Sequence, residues 1–264
     1  MRTSEAVRIV AVLVAMGVVL ASGAAAQASN VRAIVLAGND LTGGPAYGRG
    51  ALQGAFDRNT DRIVEAFTER LGIETILKLH AEEVSEQDFE ASVREFVAEV
   101  GPGDTLIFYY AGHGLDGYMH PFFVEAEAET PSDESAQPET SEPPLNEDAA
   151  SPAADPDGSY RYEALAELLE SEACQTLTII DACFSGSALN LLDESWTIVT
   201  SCRADQSTLL AWAYGSIFNV EFTTQLRHGY TRLDEILAGV DLMYGEEFQF
   251  SGDPTIDLAS PSCP

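Results

Sequence analysis

The chain has 264 residues, of which 45% are hydrophobic, and this is sufficient for one domain with a sizeable core. Its 43 acidic residues against 13 basic residues give a formal net charge of −30 at pH 7. Such an acidic surface repels phosphate backbones and anionic lipids, so we expect no nucleic-acid binding. The charge suits a cationic substrate or partner, but it equally serves solubility alone.

An export signal is predicted over residues 1–26. Arg2 and Arg8 supply a positive start, residues 9–21 are almost unbroken apolar, and Ala24–Ala26 has the small-residue pattern that signal peptidase cuts. An uncleaved membrane anchor is the alternative, because the apolar run can be extended to about 18 residues. We expect cleavage, and therefore a secreted or periplasmic protein with no remaining membrane segment.

Strands and helices alternate in the first half of the expected mature chain. Residues 31–37, 73–79 and 105–110 are short apolar runs that are typical of buried strands. The helix between the first two runs ends at Gly72, and Ser85–Asp88 resembles a capping box that opens the next helix. This alternation favours a parallel sheet with helices on both faces.

The second half adds a helix, two strands and two further helices. These elements are predicted near residues 160–170, 177–180, 196–200, 217–227 and 233–243. Together the two halves predict a single α/β domain over residues 30–260, with a mostly parallel central sheet of about six strands.

Residues 125–159 interrupt this pattern. The segment is rich in Glu, Asp, Pro, Ser and Ala, contains no Lys or Arg, and has almost no large apolar residues. It cannot bury enough apolar surface to offset the entropy of ordering, so we interpret it as a disordered acidic insertion within the domain. A mobile flap, an inhibitory strand and a tolerated surface loop remain open as its role.

Two segments each carry a reactive side chain just after a predicted strand. Tyr-Tyr-Ala-Gly-His-Gly contains His113 and ends at Gly114, and Ile-Ile-Asp-Ala-Cys-Phe-Ser-Gly contains Cys183. The carboxyl ends of parallel strands form the ligand crevice of an open sheet, so both side chains are expected at one edge. Each residue alone has a structural explanation, as a loop histidine or a small buried hydrophobe. Their joint placement beside glycines favours catalysis.

This pair of residues suits nucleophilic attack on a carbonyl carbon. A thiol needs a base or local activation to react, and His113 can accept its proton and later protonate the leaving amine. The oxyanion that forms needs preorganised N–H donors, for which the backbone of Cys183 and Gly114 is the natural candidate. The sequence therefore predicts a Cys183 nucleophile with His113 as its base.

The His-Gly pair followed by Asp-Ala-Cys-x-Ser-Gly resembles the caspase and metacaspase family of clan CD cysteine peptidases. The resemblance covers roughly residues 31–257 outside the insertion. It extends to Leu52–Ala55, Thr200–Gln206, Gly215–Phe218 and Gln249–Ile256. It implies a caspase-like fold, a dyad of His113 and Cys183, and endopeptidase activity on polypeptide substrates. By the same analogy we expect a monomer, as is usual for metacaspases.

The resemblance also implies a pocket for a basic P1 side chain, the substrate residue before the cleaved bond. In metacaspases the Asp two residues before the nucleophile, here Asp181, lines this pocket, and the segment containing Ser201 helps to form it. The family's Asn-Asp pair on the first helix is replaced here by Asp57-Arg58. Arg58 either points to solvent or reaches Asp181, where it would neutralise the carboxylate or favour an acidic P1.

Three alternatives stay open on these residues. In the first, Asp181 serves only to orient its loop. In the second, the chain is a legumain- or gingipain-type peptidase, which would have the same dyad with another P1 preference, such as Asp or Asn. In the third, the chain is a pseudoenzyme that binds partners through the acidic insertion. The intact His113 and Cys183 argue against the pseudoenzyme.

No metal or other cofactor is expected. His80, His120 and His228 are scattered without the spacing of a zinc site, and no EF-hand-like loop is present. Some metacaspases need Ca²⁺, so a calcium site in the acidic insertion is the alternative.

An oxidising compartment permits disulfides, but a nucleophilic Cys183 must stay free. That leaves Cys174, Cys202 and Cys263 with at most one bridge among them, whose pairing the sequence leaves open.

Overall fold

The fold is given by a computed structural model. It describes residues 30–40, 52–122, 158–211, 214–242 and 245–260. The predicted signal and nearly all of the predicted insertion lie outside these residues. Within the described part, none of the helices combines the length and the apolar character that a bilayer span requires.

Strands and helices alternate along the chain as the apolar pattern predicts. In chain order the described residues form β1 (Val31–Ala37), α1 (Gln53–Leu71), β2 (Thr75–His80), α2 (Glu86–Val97), β3 (Thr105–Ala111), β4 (His113–Leu115), β5 (Tyr118–His120), β6 (Tyr160–Arg161), α3 (Tyr162–Leu169), β7 (Gln175–Asp181), a 3₁₀ helix (Ser185–Asn190), β8 (Thr197–Thr200), β9 (Leu210–Ala211), β10 (Gly215–Ser216), α4 (Ile217–Arg227), α5 (Leu233–Ala238) and β11 (Gln249–Ser251).

The central sheet has the strand order β11-β8-β7-β3-β1-β2 in the described part of the chain. Five of these strands run parallel, and β11 pairs antiparallel with β8 at one edge. Helices α2 and α3 cover one face, whereas α1, α4 and α5 cover the other. The predicted α/β fold with a mostly parallel six-stranded sheet is thereby confirmed.

Strand β3 shows why this sheet is buried on both faces. All seven of its residues are buried, and successive side chains point to opposite faces. Phe108 and Tyr110 enter the core beneath α2 and α3, while Ile107 and Tyr109 enter the core beneath α1 and α4. Full burial of one such side chain contributes roughly 1.5–3 kcal/mol, so the strand is held from both sides.

Local signals set the helix ends that the sequence predicts. The Ser85 side chain accepts a hydrogen bond from the Asp88 backbone N–H at 3.1 Å and so caps α2. Helix α1 ends where Gly72 takes a left-handed conformation with φ 69°, and its N–H bonds to the Phe67 carbonyl. Both predicted ends are confirmed.

The shortest elements are the ones that the sequence pattern does not reveal. Strands β4, β5 and β6 form a small antiparallel sheet, and β9 pairs with β10. Two- and three-residue strands are too short to show a period of two. Ser159 is buried although it falls at the end of the predicted insertion, and α5 ends at Ala238 rather than near residue 243.

Candidate active site

The parallel register brings the two sequence motifs to one edge of the sheet. Ala111 at the end of β3 is level with Asp181 at the end of β7. The backbone N–H of Gly112 donates to the Asp181 carbonyl at 3.3 Å, so the hydrogen bonding between β3 and β7 continues one residue beyond the end of β3. His113 and Cys183 each lie two residues beyond these level positions, so the topology delivers both to the same crevice.

Gly114 is packed directly against the backbone of the predicted nucleophile. A Cβ atom at this position would lie well inside 3.0 Å of the Cys183 carbonyl oxygen and would also crowd the Ala182 side chain. Only glycine therefore permits this approach of β4 to the end of β7. The residue that follows His113 is thus in contact with the residue that carries the thiol.

The His113 imidazole is held between a carboxylate and an aromatic ring. Its Nε2 atom lies 3.1 Å from Oδ1 of Asp40, a residue just after β1 whose side chain is 3% exposed. The Phe56 ring meets the imidazole edge-on, with centroids 5.1 Å apart. Asp40 has no motif to mark it. Its one sequence signal is a carboxylate just after an apolar strand, at the edge where the other strands end.

Cys183 stands on a sharp turn between β7 and the 3₁₀ helix. It is a free, partly exposed cysteine, and the next residue, Phe184, has a φ of 56°. A bulky residue in this left-handed region costs on the order of 1 kcal/mol or more, and such strain is concentrated at functional sites. The Phe184 N–H donates to the Gln206 carbonyl at 2.7 Å, which anchors the turn to the segment that follows β8.

Asp181 is a buried carboxylate with one bonded and one unbonded oxygen. Its Oδ2 atom accepts hydrogen bonds from Asn59 Nδ2 at 3.1 Å, from the Tyr109 hydroxyl at 2.9 Å and from the Ser216 hydroxyl at 2.5 Å. Its Oδ1 atom is buried and has no hydrogen-bond partner. Burial raises the pKa of Asp181 to about 6, and the hydroxyl donors oppose that rise.

Ser201, whose segment the resemblance assigns to the substrate pocket, lies close to Asp181. Its backbone N–H donates to the Ile180 carbonyl at 2.9 Å, and its hydroxyl donates to the Ala182 carbonyl at 3.3 Å. Ser201 is also close enough to Asp181 to lower the pKa of that carboxyl, against the larger effect of burial. Ser201 therefore belongs to the wall around that carboxylate.

Glu246 is a second buried carboxylate near Asp181. Its Oε1 atom accepts from the Thr208 hydroxyl at 2.7 Å and from the Leu209 N–H at 2.8 Å, whereas its Oε2 atom is buried without a partner. Burial raises the pKa of Glu246, and its charge in turn raises the pKa of Asp181. Glu246 is distant in sequence from both motifs, which is why the sequence pattern does not single it out.

Asp57, on helix α1, contacts the end of strand β2 rather than Asp181. Its Oδ1 atom is 3.1 Å from Gln53 Nε2 and 3.2 Å from His80 Nδ1. His80 is level with Ala37, Ala37 with Ala111, and Ala111 with Asp181. Three strand spacings of about 4.8 Å therefore separate the backbones of His80 and Asp181.

Arg58 turns back along α1 toward Gly54. Its Nη1 atom lies 3.1 Å from the position that a Cβ on Gly54 would take. Asn59, which the sequence does not single out, is the α1 residue that bonds to Asp181. The helix thus presents the Asn59 amide to the Asp181 carboxylate.

The remaining cysteines fall into two classes. Cys174 is disulfide-bonded, whereas Cys202 is a free, buried thiol whose pKa is raised by burial. Cys263 lies outside the described residues. No group of three or more His, Cys, Asp or Glu side chains among the described residues is placed to hold a metal ion.

Comparison with known proteins gives a family and a fold. Residues 49–257 match the family model described as a caspase domain. A crystal structure of a protein from Geobacter sulfurreducens is similar, with a TM-score of 0.56 and 14% sequence identity over 89% of this chain and 98% of that chain. At this identity the likeness concerns the fold alone. Among curated proteins, none matches the chain.

Proposed function

The chain belongs to the caspase-domain family of cysteine peptidases, and on that basis we propose that it is an endopeptidase cleaving after arginine or lysine. In this proposal Cys183 is the nucleophile and His113 its base. The observation that carries the proposal is the contact of Gly114 with the Cys183 backbone, because it joins the two motifs at one sheet edge.

The proposed reaction proceeds in two steps. His113 takes the thiol proton, the Cys183 sulfur attacks the scissile carbonyl, and the C–N bond breaks as the imidazolium returns the proton to the leaving amine. Water then attacks the thioester, His113 takes its proton, and the thiol is restored as the acid product leaves. Backbone N–H groups of Cys183 and Gly114 are the proposed donors to the oxyanion in both steps.

A basic P1 residue is supported by the unbonded oxygen of Asp181. A buried acceptor without a partner costs about 1–3 kcal/mol, and a guanidinium or ammonium group would supply the missing donor. With a pKa of about 6, Asp181 is mostly ionised at pH 7. The unbonded oxygen of Glu246 adds negative potential to the same region. Two carboxylates favour a cation and oppose the acidic P1 of animal caspases.

We also propose that the enzyme is exported. The N-terminal apolar segment has the pattern of a signal peptide. The disulfide at Cys174 supports this, because disulfides persist in oxidising compartments. The acidic insertion has no Lys or Arg between residues 125 and 159, so a basic-specific enzyme would not cut itself there. Detection of mature protein in the medium or periplasm would test the export.

The test combines a covalent probe with a substrate panel. A peptidyl chloromethyl ketone ending in arginine should label Cys183, as peptide mass spectrometry would identify, and Cys183→Ala should abolish both labelling and turnover. Among fluorogenic peptides that differ only in the P1 residue, those with Arg or Lys should be cleaved with a higher kcat/KM than those with Asp or Asn. Absence of labelling would favour a non-catalytic binding protein, and preference for Asp or Asn would exclude the basic pocket.

A further inference from the structure

We propose that Asp40 is a positioning residue that fixes the His113 imidazole in the tautomer needed to take the thiol proton. The inference rests on the proposed function of His113 as a base. It starts from the contact of Asp40 Oδ1 with His113 Nε2 at 3.1 Å.

Asp40 is itself held rigidly. Asp40 is 2% exposed, and its backbone N–H donates to Gln53 Oε1 at 2.8 Å. Its Oδ2 atom accepts the Leu52 backbone N–H just before α1 begins. The two carboxylate oxygens thus have separate tasks, since one binds the start of α1 and the other contacts the histidine.

The contact determines which ring nitrogen carries the proton. In the proposed arrangement Asp40 is ionised; an ionised carboxylate only accepts hydrogen bonds, so Nε2 of His113 is the donor. A neutral imidazole has one N–H group, and Nδ1 is then left with the lone pair that can accept a proton. The edge-on Phe56 ring restricts rotation of the imidazole out of this arrangement. Asp40 therefore makes Nδ1 the basic atom.

Asp40 also stabilises the imidazolium that forms after proton transfer. The negative carboxylate lies against the new positive charge, and burial at 2% exposure weakens the screening between them. The other titratable groups around His113 are Tyr110, whose hydroxyl donates to the His113 carbonyl, and His120, which is level with it on β5. Cys183 lies against the next residue, Gly114. Asp40 is a carboxylate in direct contact with the ring.

A purely structural role for Asp40 predicts a different outcome. If the residue only anchored α1, any change that preserved the acceptor for the Leu52 N–H would leave catalysis intact. Asp40→Asn preserves an oxygen acceptor and the side-chain volume, but it replaces an obligate acceptor with a group that can donate to Nε2. It therefore separates the two roles.

The experiment compares Asp40→Asn with Asp104→Asn in the full chain. Asp104 is also a buried carboxylate that bonds to backbone N–H groups, those of Asn30 and Gly101, but it lies at the opposite edge of the sheet. We expect kcat of Asp40→Asn to fall by roughly 10- to 10⁴-fold with KM changed by less than about twofold. Asp104→Asn should keep the wild-type kcat.

A second readout does not depend on turnover. The chain has four histidines, so ¹⁵N and ¹³C NMR of labelled histidine side chains can resolve each ring. His113 should be in the Nε2–H tautomer in the wild type and in Asp104→Asn, and it should lose that tautomer in Asp40→Asn. Unchanged kcat and an unchanged tautomer in Asp40→Asn would overturn the inference.

The two readouts also separate this inference from the proposed function. A wild-type protein that cleaves no peptide would overturn the peptidase proposal. The NMR comparison would still decide whether Asp40 sets the tautomer.

Discussion

Asn59 donates from its side-chain amide to Oδ2 of Asp181 at 3.1 Å, so α1 holds the carboxylate at the end of β7. The amide oxygen of the same residue accepts the Ser216 backbone N–H at 3.1 Å. A Cβ on Gly215 would collide with this amide, so the β9–β10 hairpin fits closely over it. One side chain therefore connects the helix, the central sheet and the hairpin around the proposed P1 pocket.

Replacement of Asp181 by asparagine should change substrate selectivity. The substitution keeps the volume and an acceptor for the Asn59, Tyr109 and Ser216 donors, but it removes the charge. We expect kcat/KM for an arginine P1 substrate to fall by roughly 30- to 4,000-fold, which corresponds to about 2–5 kcal/mol. Matched peptides with an uncharged P1 are the control, and an equal loss for all of them would indicate that Asp181 only orients its loop.

The stability of the protein should depend on pH through Asp181. Its pKa is about 6 in the folded state against an ordinary value of 3.8, so the folded protein holds this proton more tightly than the unfolded chain does. The contribution of Asp181 to the free energy of unfolding is therefore highest below about pH 4 and falls as pH rises toward 6. The fall is on the order of 3 kcal/mol for this buried group.

Denaturant unfolding between pH 4 and pH 7 would measure this effect. The difference between wild type and Asp181→Asn should widen in favour of the variant as pH rises through this window. Glu246→Gln would move the fall to higher pH, over a wider pH window, only if Glu246 stabilised the ionised carboxylate of Asp181. Because its charge instead raises the pKa of Asp181, the variant should move the midpoint to lower pH.

Gly114→Ala should impair catalysis because the added methyl group has no space. It would force β4 away from the Cys183 backbone and displace the proposed oxyanion donors. We expect a loss of at least about 100-fold in kcat, the scale of removing one oxyanion donor. Gly101→Ala is the matched control, since its Cβ would have ordinary contacts only. Similar kcat values for the two variants would contradict the tight contact between Gly114 and the Cys183 backbone.

Excision of residues 125–156 should leave the core folded. The Phe122 N–H donates to the Gly158 carbonyl at 3.2 Å, so a short glycine linker can join the two ends without strain. Loop length affects closure entropy only logarithmically, and we expect the melting temperature to change by only a few degrees. A longer deletion through residue 159 is the contrasting variant, because it removes the buried Ser159 and should lower the melting temperature clearly more.

The sequence predicts those parts of the fold that arise from long apolar periodicity. The buried strands around Phe108 and Ile179 and the capped helix after Ser85 have signals that are local and strong. Their order also predicts that His113 and Cys183 lie at one edge, because parallel strands end together. The parallel register observed at Ala111 and Asp181 agrees with that expectation.

The surroundings of these residues could not be predicted in the same way. Asp40, Asn59 and Glu246 reach the site through turns and helix rotation, which depend on tertiary packing rather than on a local pattern. The resemblance aligns Asp57-Arg58 with a pair that lines the basic pocket in metacaspases, but successive residues of a helix point about 100° apart. That rotation is why Asn59 reaches Asp181 while Asp57 contacts His80.

The antiparallel strand β11 makes completion of the sheet a late event. It pairs with β8, the strand that leads directly to Ser201, yet it follows α4 and α5 in the chain. During synthesis from the N-terminus, strand β8 therefore remains an unpaired edge of the sheet until β11 emerges. A nascent chain that already contains His113 and Cys183 therefore still lacks the strand that pairs with β8 next to Ser201, so the proposed peptidase activity would have to wait until the C-terminal part of the domain has docked.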